Sequence, residues 1–213
     1  TLDWALRLAI IITMPAAVGL TVLAKPILIT MFQYDAFLPL DVEMTALSLS
    51  AYALGLPAFI AVKVLAPGYY ARQDTRTPVR IAVIAMVSNM ALNLTFVGIL
   101  LSLHFKGPHA GLALASTVAA YMNAWMLYRG LRRKRVYRPE AGWGTVLFAV
   151  AAASALMVIG ILLIDGTTQE WLMAPARKRG YMLSELVVGG TLAYIVALFA
   201  AGLRKHHLEK GAV

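Results

Sequence analysis

Three polar side chains within apolar segments are the residues of this chain best suited to chemistry. Asn89 and Asn93 lie four residues apart and therefore share one face of a helix. Ser116 lies in the next apolar segment. Amide and hydroxyl oxygens of this kind can coordinate a small hard cation or line a water-filled cavity. The same residue types also form hydrogen bonds between membrane helices, so a cation site and a structural cluster both stay open.

One lysine lies near the end of an apolar segment. Lys63 comes one turn before Pro67. The aliphatic stem of a lysine at such a position lets its ammonium group extend to the membrane interface. Alternatively, Lys63 lines the cavity of a transporter and meets an anionic substrate there.

Proline and glycine predict breaks in two helices. Pro15 lies inside the first apolar segment, and Gly55 and Pro57 lie inside the second. Proline frees a backbone carbonyl and bends a helix, and broken helices often lie at the substrate or ion sites of transporters. Membrane helices also tolerate both residues without a special purpose.

A stripe of small residues predicts how the last two apolar segments pack. It repeats every four residues and consists of Gly189, Ala193, Ala197 and Ala201. Small side chains allow two helices to approach closely. The expected partner is the alanine-rich part of the preceding segment, residues 149–155.

No arrangement of side chains indicates an enzyme. The sequence has no cysteine, no HExxH pattern, no phosphate-binding loop and no dinucleotide fingerprint. Its histidines, at positions 104, 109, 206 and 207, do not have the spacing of metal ligands. We therefore predict no catalytic residue, no metal and no cofactor.

The composition is that of a membrane protein. Of the 213 residues, 61% are hydrophobic and 14% are charged, and the mean hydropathy is +0.75. These values exclude an ordinary soluble domain, a disordered chain and a nucleic-acid module. Six apolar segments are long enough to cross a bilayer as helices. They cover residues 6–24, 44–66, 79–103, 110–128, 143–164 and 181–203.

The basic residues predict the orientation of this all-α bundle. Twelve lie in the loops after the second and fourth segments and in the tail, and five lie on the opposite side. The richer side is cytoplasmic by the positive-inside rule, although Arg177, Lys178 and Arg179 run against it. The twelve are Arg72, Arg76, Arg80, Arg129, Arg132, Arg133, Lys134, Arg135, Arg138, Arg204, Lys205 and Lys210. The five on the opposite side are Lys25, Lys106, Arg177, Lys178 and Arg179.

A basic loop around residues 129–139 divides the chain. It separates four spans, residues 1–130, from a two-helix hairpin with its preceding loop, residues 131–213. The first residue is Thr1, which favours a piece of a longer protein. A signal peptide is the competing interpretation of this end, but the first apolar run is long for one and lacks a small-residue cleavage site.

Several stretches resemble the MurJ/MviN family of lipid II flippases. The most specific is VKVLAPGYYARQDTRTPVRI at residues 62–81, preceded by AYALGLPA at 51–58. Shorter matches are LDWALRL at 2–8, FQY at 32–34 and HAGLAL at 109–114. The resemblance covers essentially the whole chain.

The resemblance implies a fourteen-helix fold of the multidrug/oligosaccharidyl-lipid/polysaccharide exporter superfamily, with this chain at helices nine to fourteen. It implies that the last two helices form a groove for a polyprenyl tail, and that the substrate-binding arginines lie in the preceding helices. Some members resemble sodium-coupled carriers with a site at the equivalents of Asn89, Asn93 and Ser116. That pattern has an aspartate at the position of Asn93, so the neutral residue here speaks against sodium binding.

The function implied is part of a lipid II flippase of the bacterial inner membrane. The whole protein would move undecaprenyl-linked disaccharide-pentapeptide to the outer leaflet by alternating access. Its partners would be lipid II, membrane lipids and the N-terminal half of the same protein, with no nucleic acid. Two alternatives stay open: an exporter of another lipid-linked sugar or a drug, and a membrane scaffold that does not transport.

Overall fold

The chain folds as a helical bundle in the computed structural model, which describes residues 2–34, 37–105 and 107–201. The all-α class predicted above is confirmed. Within the described residues the helices are α1 Leu2–Val22, α2 Ala24–Phe32, α3 Pro39–Ala53, α4 Leu56–Leu65, α5 Pro67–Tyr70, α6 Arg76–Ser102, α7 Ala110–Arg133, α8 Trp143–Ile164, α9 Thr168–Met173 and α10 Ala176–Ala200. Residues outside this description include Thr1, Lys106, Arg204, Lys205, His206, His207 and Lys210.

Six helical spans are long and apolar enough to cross a membrane, as the hydropathy pattern predicts. The second is composite: α3, α4 and α5 together cover Pro39–Tyr70. Several helices extend beyond the predicted apolar runs, as α7 does by continuing to Arg133. Hydropathy marks the part of a helix in hydrocarbon, whereas backbone hydrogen bonding continues into the polar interface.

Two short helices are absent from the hydropathy pattern. The first, α2, begins two residues after α1 ends, and α9 lies between α8 and α10. The start of α9 has a reciprocal cap, in which Thr167 and Glu170 each accept a hydrogen bond from the other's backbone N–H. Neither helix is long enough to span a bilayer.

Helix α1 is the centre of the bundle. It packs against α3 and α4 on one side and against α8 on the other. The tightest remaining pairs are the antiparallel neighbours α6 with α7 and α8 with α10. One apolar core surrounds Leu23, Ile29 and Trp171, and a second surrounds Leu65 and Leu131 at the other end of the bundle. Most of α6 is exposed, so this helix presents an apolar face to its surroundings.

Both basic loops lie at the same end of the bundle. Lys134, after α7, reaches Asp74, before α6, with an Nζ–Oδ2 distance of 2.5 Å. Asp3 at the start of α1 accepts a hydrogen bond from Trp143 at the start of α8. We call this end, with the loops at 71–75 and 134–142, the basic end.

Pro15 does not break α1, contrary to the expectation from sequence. The helix runs without interruption from Leu2 to Val22. A proline at position 15 leaves the carbonyl of Ile11 without its usual donor. The hydroxyl of Tyr194 in α10 donates to that carbonyl at 2.7 Å. A neighbouring helix therefore replaces the lost hydrogen bond, and the helix continues.

The predicted small-residue stripe on α10 is rotated by one position. Gly189 and Ala201 are exposed, and nothing lies within 4 Å of a Cβ built on Gly189. Gly190 is buried instead, and a Cβ there would lie 3.0 Å from Cδ1 of Ile161 in α8. Adjacent residues differ by about 100° around a helix, and the buried face of α10 is set by the larger Leu186 and Tyr194. Ala193 and Ala197 lie half-buried beside that face.

Candidate functional site

The second span is interrupted at its middle. Helix α3 ends at Ala53, and α4 begins at Leu56. At the break the N–H of Gly55 donates to the carbonyl of Tyr52 at 2.9 Å, which is a tighter turn than that of an α-helix. Pro57 has no N–H to donate. The break predicted at Gly55 and Pro57 is therefore present.

Two hydroxyl groups of α7 satisfy the carbonyls at this break. Thr117 donates to the carbonyl of Ala51 at 2.6 Å, and Tyr121 donates to that of Leu54 at 2.9 Å. A Cβ on Gly55 would lie only 2.7 Å from Oγ1 of Thr117. Glycine is required here because α7 approaches the backbone this closely. The break is a fixed joint between two helices.

The polar pair on α6 lies close to α7. Asn89 and Asn93 are half-buried, and their amide oxygens, like that of Asn123 in α7, are shielded from solvent and accept no hydrogen bond from the described residues. A Cβ on Gly111 would lie 3.2 Å from the backbone of Val97. Ser116 is five residues after Gly111 in α7, and Asn93 is four residues before Val97 in the antiparallel α6. Because both helices rise equally per residue, Ser116 and Asn93 lie at about the same level.

Ser116 uses its hydroxyl within its own helix. It donates to the carbonyl of Leu112 at 3.0 Å. No hydrogen bond joins Ser116 to Asn89 or Asn93 within the described part of the chain. Neutral oxygens of this kind could solvate a cation weakly or accept hydrogen bonds from another segment. Also among the described residues, no group of three His, Asp or Glu side chains has the geometry to hold a metal ion.

Lys63 lies in the last turn of α4 and is exposed. The two ion pairs of the described chain join Arg7 to Asp3 and Lys134 to Asp74. Lys63 thus has neither a carboxylate partner there nor a place in the core. Its exposure fits both interpretations from sequence.

Sequence reasoning missed a buried polar cluster at the basic end. Asp3 and Arg7 are 5% and 6% exposed, and Nε of Arg7 lies 2.7 Å from Oδ2 of Asp3. The other carboxylate oxygen accepts hydrogen bonds from Tyr137 at 2.6 Å and from Trp143 at 2.8 Å. Arg7 also donates to the carbonyl of Ala141 at 2.9 Å. The cluster joins α1 to the start of the hairpin.

The signal for this cluster was present in the sequence. An aspartate and an arginine four residues apart at the edge of an apolar segment predict an ion pair on one helical face. Their partners at positions 137–143 are remote in sequence, so only the fold reveals them. Burial, together with the hydrogen bond to Asp3, raises the pKa of Tyr137 well above its ordinary value. Tyr137 therefore stays a hydrogen-bond donor.

Arg179 forms a second buried cluster, at the opposite end of the bundle. Its guanidinium donates to carbonyls of Ile29, Gln33, Leu172 and Ala174 at 2.8–3.2 Å. These carbonyls belong to the ends of α2 and α9, where helices leave acceptors unsatisfied. Arg179 is 7% exposed. It is thus a structural arginine, which explains its place on the side that the positive-inside rule leaves poor in cations.

The loop at residues 71–75, within the stretch 62–81 that most resembles the MurJ/MviN family, is also ordered by polar contacts. Asp74 accepts hydrogen bonds from the N–H and hydroxyl of Thr77, at 3.0 and 2.8 Å, and pairs with Lys134. The Lys134 and Thr77 contacts lower the pKa of Asp74 to about 2. Tyr69, just before the loop, donates to the carbonyl of Leu127 at 2.8 Å. The motif therefore locks α5, α6 and α7 together at the basic end.

An apolar groove of about 630 Å³ lies between α1 and the hairpin. Its walls come mainly from α1 and α10, with Met157 and Ile161 of α8 at its base. Polar groups contribute little to the lining. We call it the hairpin groove. Its volume falls within the range of small-molecule sites, and its walls suit a hydrocarbon chain.

Comparison with known proteins agrees with this architecture. The family described as "Lipid II flippase MurJ" matches residues 1–179. A probable lipid II flippase MurJ of Vibrio cholerae is 40% identical over 209 residues, which are 98% of this chain and 38% of that protein. A lipid II flippase MurJ of Burkholderia cenocepacia is 32% identical over 99% of this chain and 40% of its own length.

A solved structure has the same fold. A lipid II flippase MurJ in an inward closed conformation matches 92% of this chain and 37% of its own length, with a TM-score of 0.69 and 27% identity. The chain thus spans about two-fifths of the length of the relatives it matches. Six apolar spans and these bacterial relatives make it a multi-pass protein of the inner membrane. The chain belongs to the MurJ family of lipid II flippases.

Proposed function

We propose that this chain is the C-terminal part of a flippase that moves lipid II from the cytoplasmic to the outer leaflet. The match to MurJ relatives along 98% of the chain carries the proposal. The step is transport and needs no bond chemistry, cofactor or metal. The six spans take positions nine to fourteen of a fourteen-helix protein, and the preceding helices supply the other lobe of the transport cavity.

The proposed division of labour follows the basic loop. Residues 1–130 form four spans of one lobe, and residues 131–213 form the loop and hairpin. The hairpin groove receives the polyprenyl tail of the substrate, because apolar walls favour burial of hydrocarbon. The Asp3–Arg7 cluster holds the hairpin against the lobe at the basic end.

Within the lobe, we assign the cavity-facing role to Asn89, Asn93 and Ser116. Unpartnered amide oxygens on α6 suit a surface that meets polar groups of another segment or of the substrate. Any cation would be held weakly, because affinity for hard cations falls with the charge of the ligands. Lys63 is the proposed cation at the interface. Alternating access then rocks this lobe against the other.

Complementation tests the proposal. The longest natural form of the protein means residues 1–213 together with any segments that flank them in the cell. This form should restore growth to bacteria depleted of their own lipid II flippase, and in vesicles it should move a fluorescent lipid II analogue. Residues 1–213 alone should do neither, because one lobe cannot enclose a cavity. Failure of the longest form despite membrane insertion would favour an exporter of another substrate. Transport by residues 1–213 alone would contradict the two-lobe mechanism.

A further inference from the structure

A second groove opens at the basic end, away from the hairpin groove. Its volume is about 520 Å³, and α1, α4, α7 and the start of α8 form its walls. Five aromatic side chains line it: Tyr121, Trp125, Tyr128, Tyr137 and Trp143. We call it the aromatic groove. Tyrosine and tryptophan prefer the boundary between hydrocarbon and headgroups, so one end of the groove reaches an interface of the membrane.

The aromatic wall is continuous and preorganised. Trp125 stacks on Tyr128 at a centroid distance of 5.9 Å, and Tyr128 meets Tyr137 edge-on at 5.7 Å. From Tyr121 to Arg132 the wall follows α7 for about 16 Å. The hydrocarbon core is about 30 Å thick. The groove is therefore about as long as the acyl region of one leaflet.

A cation stands at the polar end of this wall. The guanidinium of Arg132 lies 5.9 Å from the ring centroid of Tyr128. Arg132 is exposed, and neither ion pair of the described chain includes it. Nine exposed or loop cations share this end: Arg72, Arg76, Arg80, Arg129, Arg132, Arg133, Lys134, Arg135 and Arg138.

The acidic residues at this end offset little of that charge. Asp74 is paired with Lys134, and Asp3 is buried against Arg7. Glu140 lines the groove and is exposed. A ligand that combines an apolar chain with a phosphate would match both the wall and its charged end. A second copy of the chain would instead bring like charges together.

We propose that the aromatic groove binds an anionic phospholipid of the leaflet at the basic end. One acyl chain lies along the aromatic wall, and the headgroup phosphate meets Arg132. This site lies between the lobe and the start of the hairpin, is separate from the hairpin groove, and does not depend on lipid II being the transported substrate. Basic pockets between membrane helices are a recurring means of binding acidic headgroups.

Tryptophan quenching tests the site directly. The protein in its longest natural form is reconstituted in phosphatidylcholine vesicles that contain phosphatidylglycerol, with either lipid carrying brominated acyl chains. The fluorescence of Trp125 is obtained by subtracting the fluorescence of the Trp125→Phe variant from that of the unchanged protein. Brominated phosphatidylglycerol should quench this signal at several-fold lower mole fraction than brominated phosphatidylcholine does.

Two variants separate a site from diffuse attraction. Arg132→Gln should lower the preference for phosphatidylglycerol about fivefold, as expected for one cation at a membrane surface. Neither arginine is among the residues that line the groove, but the guanidinium of Arg132 lies over the ring of Tyr128, which does line it. Arg133→Gln removes the same charge from the adjacent position, which has no such ring contact within the described chain, and should leave the preference unchanged. Ala61→Phe, which fills the groove from α4, should reduce quenching by both lipids.

Three results would overturn the proposal. Equal losses in Arg132→Gln and Arg133→Gln would mean attraction to the surface without a site. Absence of quenching at Trp125 would mean that another protein segment covers the groove. Displacement of the brominated lipid by a small amount of undecaprenyl phosphate would assign the groove to the substrate tail. Far-ultraviolet circular dichroism of each variant verifies that the helices are intact.

Discussion

The buried charges of this chain are held chiefly by neutral hydrogen-bonding groups. Asp3 accepts from a tyrosine and an indole in addition to Arg7. Arg179 donates to four backbone carbonyls and has no carboxylate partner among the residues that the structure describes. Removing a charge from water is costly unless its hydrogen-bonding capacity is met. Each cluster joins elements far apart in sequence, so each charge specifies one packing of the helices.

Asp74 should make stability depend on pH in the acid range. Its pKa is about 2 in the folded protein and 3.8 as the reference for the unfolded chain. A depressed pKa contributes stability above the unfolded value, and this contribution is lost as the pH falls from 3.8 towards 2. The thermal midpoint of Asp74→Asn should therefore lie below that of the protein at pH 6, and the gap should close near pH 2. A gap independent of pH would contradict the assignment.

The neutral pair Asn89 and Asn93 should make transport insensitive to sodium. Among the described residues, no group of three His, Asp or Glu side chains could hold a metal ion beside them. Replacing Na⁺ by K⁺ at constant membrane potential should leave the flipping rate of the longest natural form unchanged. Asn93→Ala should reduce that rate less than tenfold. A steep sodium dependence that vanishes in Asn93→Ala would instead assign a cation site to this pair.

At the scale of elements, tyrosine and threonine hydroxyls donate hydrogen bonds to backbone carbonyls that lack their usual helical donor near proline and glycine. Tyr194 donates to Ile11 in α1, and Thr117 and Tyr121 donate to the break between α3 and α4. A backbone group without a partner is expensive in a membrane. The repaired irregularities therefore act as contacts between helices, and each fixes the rotation of one helix against another.

Gly55→Ala should destabilise the joint between the second span and α7. The new methyl group would meet Oγ1 of Thr117 at 2.7 Å and a ring carbon of Phe59 at 2.8 Å. Overpacking of this kind costs about 1–3 kcal/mol. Gly98→Ala in α6 is the matched control, since nothing lies within 4 Å of its Cβ. Denaturant unfolding in detergent measures both; an unaffected Gly55→Ala would refute the close approach.

A large side chain at Gly190 should disrupt the packing of the hairpin, whereas one at Gly189 should not. In Gly190→Leu the side chain would collide with Ile161 and Met157 and force α8 and α10 apart. In Gly189→Leu the side chain would point into open space. We expect Gly190→Leu to lower complementation by the longest natural form at least tenfold and Gly189→Leu to complement normally. The reverse order would restore the stripe predicted from sequence.

At the scale of the whole molecule, the two ends of the bundle use cations differently. The basic end carries many exposed cations and the buried Asp3–Arg7 cluster. At the opposite end, Arg179 is buried as a cap for two short helices. Exposed cations bear on orientation through the positive-inside rule. A buried arginine that donates to four backbone carbonyls has far less effect on orientation.

Cysteine labelling tests this orientation, and the chain has no cysteine of its own. Cysteines in place of the exposed Thr75 and Arg135 should react only with reagents that reach the cytoplasm. One in place of the exposed His109 should react from outside; Gly107 in the same loop is buried and would label poorly. Labelling of Thr75→Cys by an impermeant reagent on intact cells would invert the topology.

The amino-acid sequence alone determined the helical class, the six spans and the break at Gly55 and Pro57. These depend on local hydropathy and backbone chemistry. Tertiary structure decided which face of α10 is buried, whether Pro15 interrupts α1, and what Asp3 and Arg179 contact. The periodicity of a helix that is apolar all round does not reveal its rotation. The partners of a buried charge or freed carbonyl come from helices up to 183 residues away, and only packing brings them within hydrogen-bonding distance.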